Sequence, residues 1–129
     1  MDVQLVSPEQ VLYEGVGRMV VVRTLGGGDI AFEDNHAPFL GALADWPARV
    51  KFEDGTQAWF AVHGGFVEVS HNQVIILSDV AEPAAGIDVE RAGAAKARAE
   101  DALRADADDE RAAAALRRAE VRLEVALSA

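Results

Sequence analysis

Short extended runs fill the first two thirds of the chain, and a helical period takes over in the last third. Val3-Gln4-Leu5-Val6 stops at Ser7-Pro8, and Val11-Leu12-Tyr13-Glu14 is closed by Gly15-Val16-Gly17. Arg18-Met19-Val20-Val21-Val22-Arg23-Thr24 is rich in β-branched residues between charges, the signature of a well-buried strand. Gly26-Gly27-Gly28 turns the chain into Asp29-Ile30-Ala31-Phe32. Glu33-Asp34-Asn35-His36-Ala37-Pro38 is a polar loop, and Phe39-Leu40-Gly41-Ala42-Leu43 is apolar again. Arg49-Val50-Lys51-Phe52 and Gln57-Ala58-Trp59-Phe60-Ala61-Val62, separated by Glu53-Asp54-Gly55-Thr56, predict a tight hairpin. Phe66-Val67-Glu68-Val69 and Gln73-Val74-Ile75-Ile76-Leu77 flank a turn at His71-Asn72, and the β part is expected to end at Leu77. Eight or nine short strands at this spacing suggest an antiparallel sandwich or barrel.

Glu82-Pro83-Ala84-Ala85-Gly86-Ile87-Asp88 separates the two regimes, and Asp88 suits a helix N-cap. Val89, Ala92, Lys96, Ala99 and Leu103 then share one helical stripe, and Ala112, Leu116, Ala119, Leu123 and Leu127 another. Ala105-Asp106-Ala107-Asp108-Asp109 favours a break between them, because Asp competes for local backbone bonds. Two antiparallel helices on a short turn fit best. Their stripes are largely alanine, which buries little area at roughly 25 cal/mol per Å². Docking of such a hairpin is expected to be easily reversed, with the preceding segment as hinge.

Charge narrows the partners. The net charge is −10, which disfavours nucleic acid and anionic membrane. Residues 88–129 carry 8 of the 12 basic side chains, so an anion would bind the helical part. No cysteine is present, which excludes disulfides and thiolate metal sites. The start of the chain lacks the pattern of a signal peptide, and no apolar run approaches the ~20 residues of a membrane span.

Candidate chemistry is sparse. His36, His63 and His71 have no partner at metal-ligand spacing and no nucleophile nearby, so no catalytic residue and no metal site is assigned. Gly26-Gly27-Gly28 precedes no Gly-Lys-Ser/Thr, and Gly15-Val16-Gly17 lacks a third glycine; both read as turns. At least one of Trp59 and Phe60 belongs to the core, and the other is available to face a partner. Arg111, Arg118 and Arg122, spaced by seven and four, lie along one side of the second helix, and Asp88 and Arg91 share a side of the first. These charges read either as solvated intrahelical pairs or as a small anionic site in which arginines fork onto phosphate.

Four ordered motifs give a resemblance. Gly28-Asp29-Ile30-Ala31-Phe32-Glu33-Asp34-Asn35-His36-Ala37-Pro38, Gly64-Gly65-Phe66-Val67-Glu68-Val69, Val74-Ile75-Ile76-Leu77-Ser78-Asp79 and Ile87-Asp88-Val89-Glu90-Arg91-Ala92 resemble the ε-subunit family of bacterial F-type ATP synthases. The last is similar to the I/L-D-x-x-R-A motif that binds ATP in some members. Departures are Asp29 where Glu is usual, Ala31 for glycine and Asp34 for proline.

The resemblance implies an antiparallel sandwich of about ten strands at residues 1–83, a hinge at 84–87 and a two-helix antiparallel hairpin arm at 88–129. It implies a non-catalytic rotor subunit that joins γ to the c ring on the cytoplasmic face of the bacterial plasma membrane, without inserting into it. The arm would fold onto the sandwich or extend into the catalytic α/β head and block ATP hydrolysis. No cofactor is implied; ATP would be a regulatory ligand that holds the arm down. Its site would comprise Glu82, Ile87, Asp88, Arg91, Ala92, Arg111, Arg118 and Arg122, with the carboxylates on the adenine side and the arginines on phosphate. Asp29 and His36 would share a lower loop facing the c ring and γ. The alternative is a free-standing ATP-sensing or adaptor domain without rotary partners, which nucleotide binding with no affinity for γ would favour.

Overall fold

The computed structural model describes residues 1–129. Ten strands come first: β1 (Asp2–Val6), β2 (Val11–Val16), β3 (Met19–Thr24), β4 (Gly28–Glu33), β5 (Phe39–Ala42), β6 (Trp46–Lys51), β7 (Gln57–Val62), β8 (Phe66–Ser70), β9 (Gln73–Leu77) and β10 (Ala81–Pro83). A single 3-10 turn at Ala84–Gly86 leads into α1 (Val89–Ala105) and α2 (Glu110–Ser128). The strands form two five-stranded sheets, ordered β2-β1-β9-β8-β5 and β10-β7-β6-β3-β4. All pairings are antiparallel except that of β1 with β9. That parallel contact joins the two ends of the β region, so no local signal announces it.

The sheets close on one core. Val3 and Leu5, Val20 and Val22, Phe32, Val50, Phe60 and Val62, Val67 and Val69, and Val74 and Ile76 all point inward and are almost fully buried. Their two-residue spacing within each strand is the alternation that a sandwich interior selects. The β6–β7 hairpin forms as its sequence predicts, with a five-residue loop instead of a two-residue turn. Gly55 takes a positive φ there, while Asp54 Oδ1 accepts from both the Thr56 amide and hydroxyl, at 2.9 and 2.6 Å. These bonds hold the Asp54 carboxyl below the usual range. His71 and Asn72 both adopt positive φ in the turn between β8 and β9, the mirror-image geometry that suits two-residue hairpins.

The β region does not end at Leu77. β10 adds an edge strand on β7, and Pro83 is tolerated because an edge strand has no outer neighbour to bond. β7 is then buried on both faces: Phe60 and Val62 enter the core, while Ala61, 0% exposed, points outward and is covered by α2. Trp59 also lies on that outer side, against the Ala61-Ile87-Val121-Val125 cluster. Phe60 is thus the core residue of the pair, and Trp59 faces the chain's own helices.

The helices obey their caps. Asp88 Oδ1 accepts from the Arg91 amide, and Asp109 Oδ1 from the Ala112 amide, both at 3.0 Å. Asp106 caps the end of α1, its backbone amide donating to Ala102 O. Ala92 and Ala99 are buried on α1, and Ala112 and Ala119 on α2. α2 lies between α1 and the sandwich, so it has a second buried side, Val121 and Val125, which the alanine-leucine stripe does not include. Leu127, assigned to that stripe, is 81% exposed. No helix is long and apolar enough to cross a membrane.

Candidate functional site at the joint of sandwich and arm

β10 delivers the chain to the joint. Its register sets Glu82 opposite Ala61, and after the 3-10 turn Ile87 drops into the seam between β7 and α2. Asp88 then begins α1, so four side chains three to four residues apart, Asp88, Arg91, Ala95 and Arg98, lie on the outer side of the helix facing the edge strand. With Glu82, Gly86, Ala92 and Arg122 they line a cleft of about 420 Å³.

Its charge is mixed but poorly neutralised. Arg122 Nε donates to Glu82 Oε1 at 2.7 Å, each side chain a little over one-quarter exposed. Arg91 and Arg98 take part in no ion pair. The Asp88 carboxylate is committed to its cap, and the positive end of the α1 dipole opens beside it. Two unpaired guanidiniums, a third shared with Glu82 and a helix N-terminus together suit a compact polyanion.

Five of the eight residues singled out in the sequence, Glu82, Asp88, Arg91, Ala92 and Arg122, meet here. Ile87 does not line the cleft; it is buried beneath it and anchors the joint. Arg111 and Arg118 line a neighbouring groove of about 410 Å³ between α1 and α2, floored by alanines. Arg98 borders both spaces and was not singled out. Its position seven residues after Arg91, two turns along the same face, was the available signal. Of the carboxylates expected on the adenine side, Asp88 caps α1 and Glu82 pairs with Arg122.

Asp29 and His36 do not share a loop. Asp29 lies within β4 and accepts from Arg23 Nε at 3.0 Å. His36 lies beyond the other end of that strand, edge-on to Phe32 with ring centroids 4.9 Å apart. About 13 Å of strand at ~3.3 Å per residue separates Asp29 from Glu33, where a turn closed by the His36 amide on Glu33 O at 3.1 Å begins.

His63 is the third histidine and the buried one, its side chain 4% exposed. Burial, and next the Arg122 guanidinium, push its pKa below the ordinary histidine value, against the opposing pull of Asp45 and Glu82. No group of three or more His, Asp or Glu side chains is gathered in a metal-binding arrangement.

Fold and site together define a two-part protein: a β-sandwich with a helical hairpin packed on its outer face beside the edge strand, and an arginine-lined cleft where they join. Residues 1–84 match the family model described as ATP synthase, Delta/Epsilon chain, beta-sandwich domain, and residues 86–126 the one described as ATP synthase, Delta/Epsilon chain, long alpha-helix domain. The chain is 41% identical over 127 residues to the ATP synthase epsilon chain of Shouchella clausii, covering 98% of this chain and 94% of that one. It is 43% identical over 129 residues to the epsilon chain of Symbiobacterium thermophilum, covering 98% and 92%. The chain belongs to the ATP synthase delta/epsilon chain family. Among solved structures, a chain of the Euglena gracilis mitochondrial ATP synthase, resolved with OSCP, F1 and the c ring, has the same fold. It superposes with a TM-score of 0.70 at 23% identity, covering 98% of this chain and 78% of that one.

Proposed function

We propose that this chain is a non-catalytic rotor subunit of an F-type ATP synthase, in which the sandwich joins γ to the c ring and the helical arm restrains ATP hydrolysis. The complex would hold it peripherally on the cytoplasmic face of the bacterial plasma membrane. ATP bound at the joint holds the arm against the sandwich; without it the arm extends toward the catalytic head.

The observation that carries this reading is the cleft itself. Glu82 comes from the sandwich edge, Asp88, Arg91 and Arg98 from α1, and Arg122 from α2. An anion held by all three arginines clamps α1 to α2, and Arg122 in turn pairs with Glu82 on the sandwich edge, so a ligand that binds only this docked arrangement favours docking. The exposed Val11, Leu40, Phe66, Leu77 and Val80 on the β domain supply apolar surface for the rotor contacts.

Calorimetric titration with ATP and with ADP, on the parent and on Arg91→Ala and Arg122→Ala, tests the ligand. Saturable ATP binding that both substitutions weaken at least tenfold is the expected result. Binding untouched by either change would remove the cleft as the site. Co-purification with γ tests the rotor assignment separately: nucleotide binding without any γ association would instead support a free-standing ATP sensor.

A further inference from the structure

His63 is the buried titratable group that the anion cleft leaves unexplained. It follows the last residue of β7, and its amide donates to Val80 O at 3.0 Å. Neither ring nitrogen has a hydrogen-bond partner in the protein. Nε2 stands 3.9 Å from Glu82 Oε1, too far for a hydrogen bond. That same oxygen receives Arg122 Nε at 2.7 Å.

One carboxylate oxygen therefore lies between two groups able to carry positive charge. Arg122 belongs to the arm and His63 to the sandwich. The charged groups around the imidazole are Arg118 and Arg122 from α2, Asp45 from the segment between β5 and β6, and Glu82 from β10, with Asp79, between β9 and β10, lining the same pocket as His63. We propose that His63 is an acid-operated release for the arm: once protonated it takes Glu82 from Arg122, and the arm comes off the sandwich. This rests on the reading that the arm docks reversibly.

The direction follows from burial and charge. A neutral imidazole is tolerated in the closed seam, whereas an imidazolium there is desolvated and stands beside two guanidiniums. Undocking wets the ring, carries Arg118 and Arg122 away and leaves Glu82 free to pair with it. The docked state thus has the lower His63 pKa. A depressed pKa gives docking its full strength above the ordinary value of about 6.5 and removes it as pH falls through the window below. A single proton weakens the docking constant by at most about tenfold per pH unit.

Trp59 supplies the readout, since it packs against the Ile87-Val121-Val125 seam. In the full chain carrying Trp46→Phe, its emission is followed from about pH 8 to about pH 5, with and without His63→Gln. The expected result is a progressive change toward solvent-exposed emission in the parent and a flat response in His63→Gln, with unchanged sandwich circular dichroism. A flat response in the parent, or the same titration in both chains, overturns the proposal. Proton NMR titration of the imidazole C2 protons gives a test that depends on no variant folding. A His63 midpoint below about 6.5 supports the switch, and one at or above it defeats it. Val121→Asp, read at neutral pH, separates the two claims. If it changes Trp59 emission while the parent ignores pH, only the His63 switch fails; if Trp59 ignores Val121→Asp as well, reversible docking itself fails.

Discussion

Truncating Val125 to alanine isolates the strength of the seam between α2 and β7. Val125 is 0% exposed and packs with Val121, Ile87 and Ala61, outside the main sandwich core. The change removes two methyl groups at about 0.8 kcal/mol each, before any cost for the space left behind. Ala61 on the opposing strand has no side chain long enough to fill that space, so a further few tenths of a kcal/mol are added and the total is roughly 2 kcal/mol. At 1.4 kcal/mol per tenfold, the docking constant falls roughly thirtyfold. The assay is Trp59 emission in the Trp46→Phe background, together with amide exchange along α2. Docking should weaken while the sandwich melting temperature stays where it is. Leu127→Ala is the control, because Leu127 is 81% exposed and should change neither signal. If Val125→Ala and Leu127→Ala behave alike, the seam does not hold the arm and the reasoning fails.

Other outcomes follow from single contacts. Asp88→Ala should cost about 1 kcal/mol at the start of α1 and speed amide exchange at Arg91. Asp88→Asn should restore it, since Asn also caps, and any remaining loss of ATP affinity would then report the charge. Gly65→Ala should unfold or severely destabilise the sandwich in thermal melts, because Gly65 sits at φ +107 and a Cβ there would lie 2.0 Å from Leu77 O. The same substitution at Gly93, where an added Cβ meets nothing within 4 Å, should stabilise α1 by roughly 0.5–1 kcal/mol.

What could be read from the sequence was local. Met19–Thr24, the β6–β7 hairpin, the Asp88 cap and the break at Asp106 to Asp109 each declare themselves within a few residues, and each formed. The misses are long-range. β10 was hidden because Pro83 reads as a breaker until the edge position of the strand is known. The Val121-Val125 side of α2 was hidden because a helix between two partners has two buried sides, and the helical period is plainest on the alanine-leucine one. At the cleft, the arginine spacing along α2 was legible, but its division was not. Arg122 reaches across to Glu82, forty residues away in sequence, while Arg111 turns into the groove between the helices. His63 had no signal at all: Val80, Glu82 and the arginines of α2, the groups that set its surroundings, come to it from elsewhere in the chain.

The alanine seam between the helices bears on how the protein behaves in solution. Where α1 meets α2, the fully buried positions are Ala92, Ala99, Ala112 and Ala119. Small side chains let the two backbones approach closely, yet each contributes only a methyl group to the contact. Whenever the helices part, water therefore meets short stubs among arginines and acids instead of a continuous greasy stripe. Surfaces of that kind seldom recruit one another, since large contiguous apolar patches drive clumping. The two helices can thus part from each other without baring a broad apolar stripe, which a leucine-lined hairpin of the same length could not do.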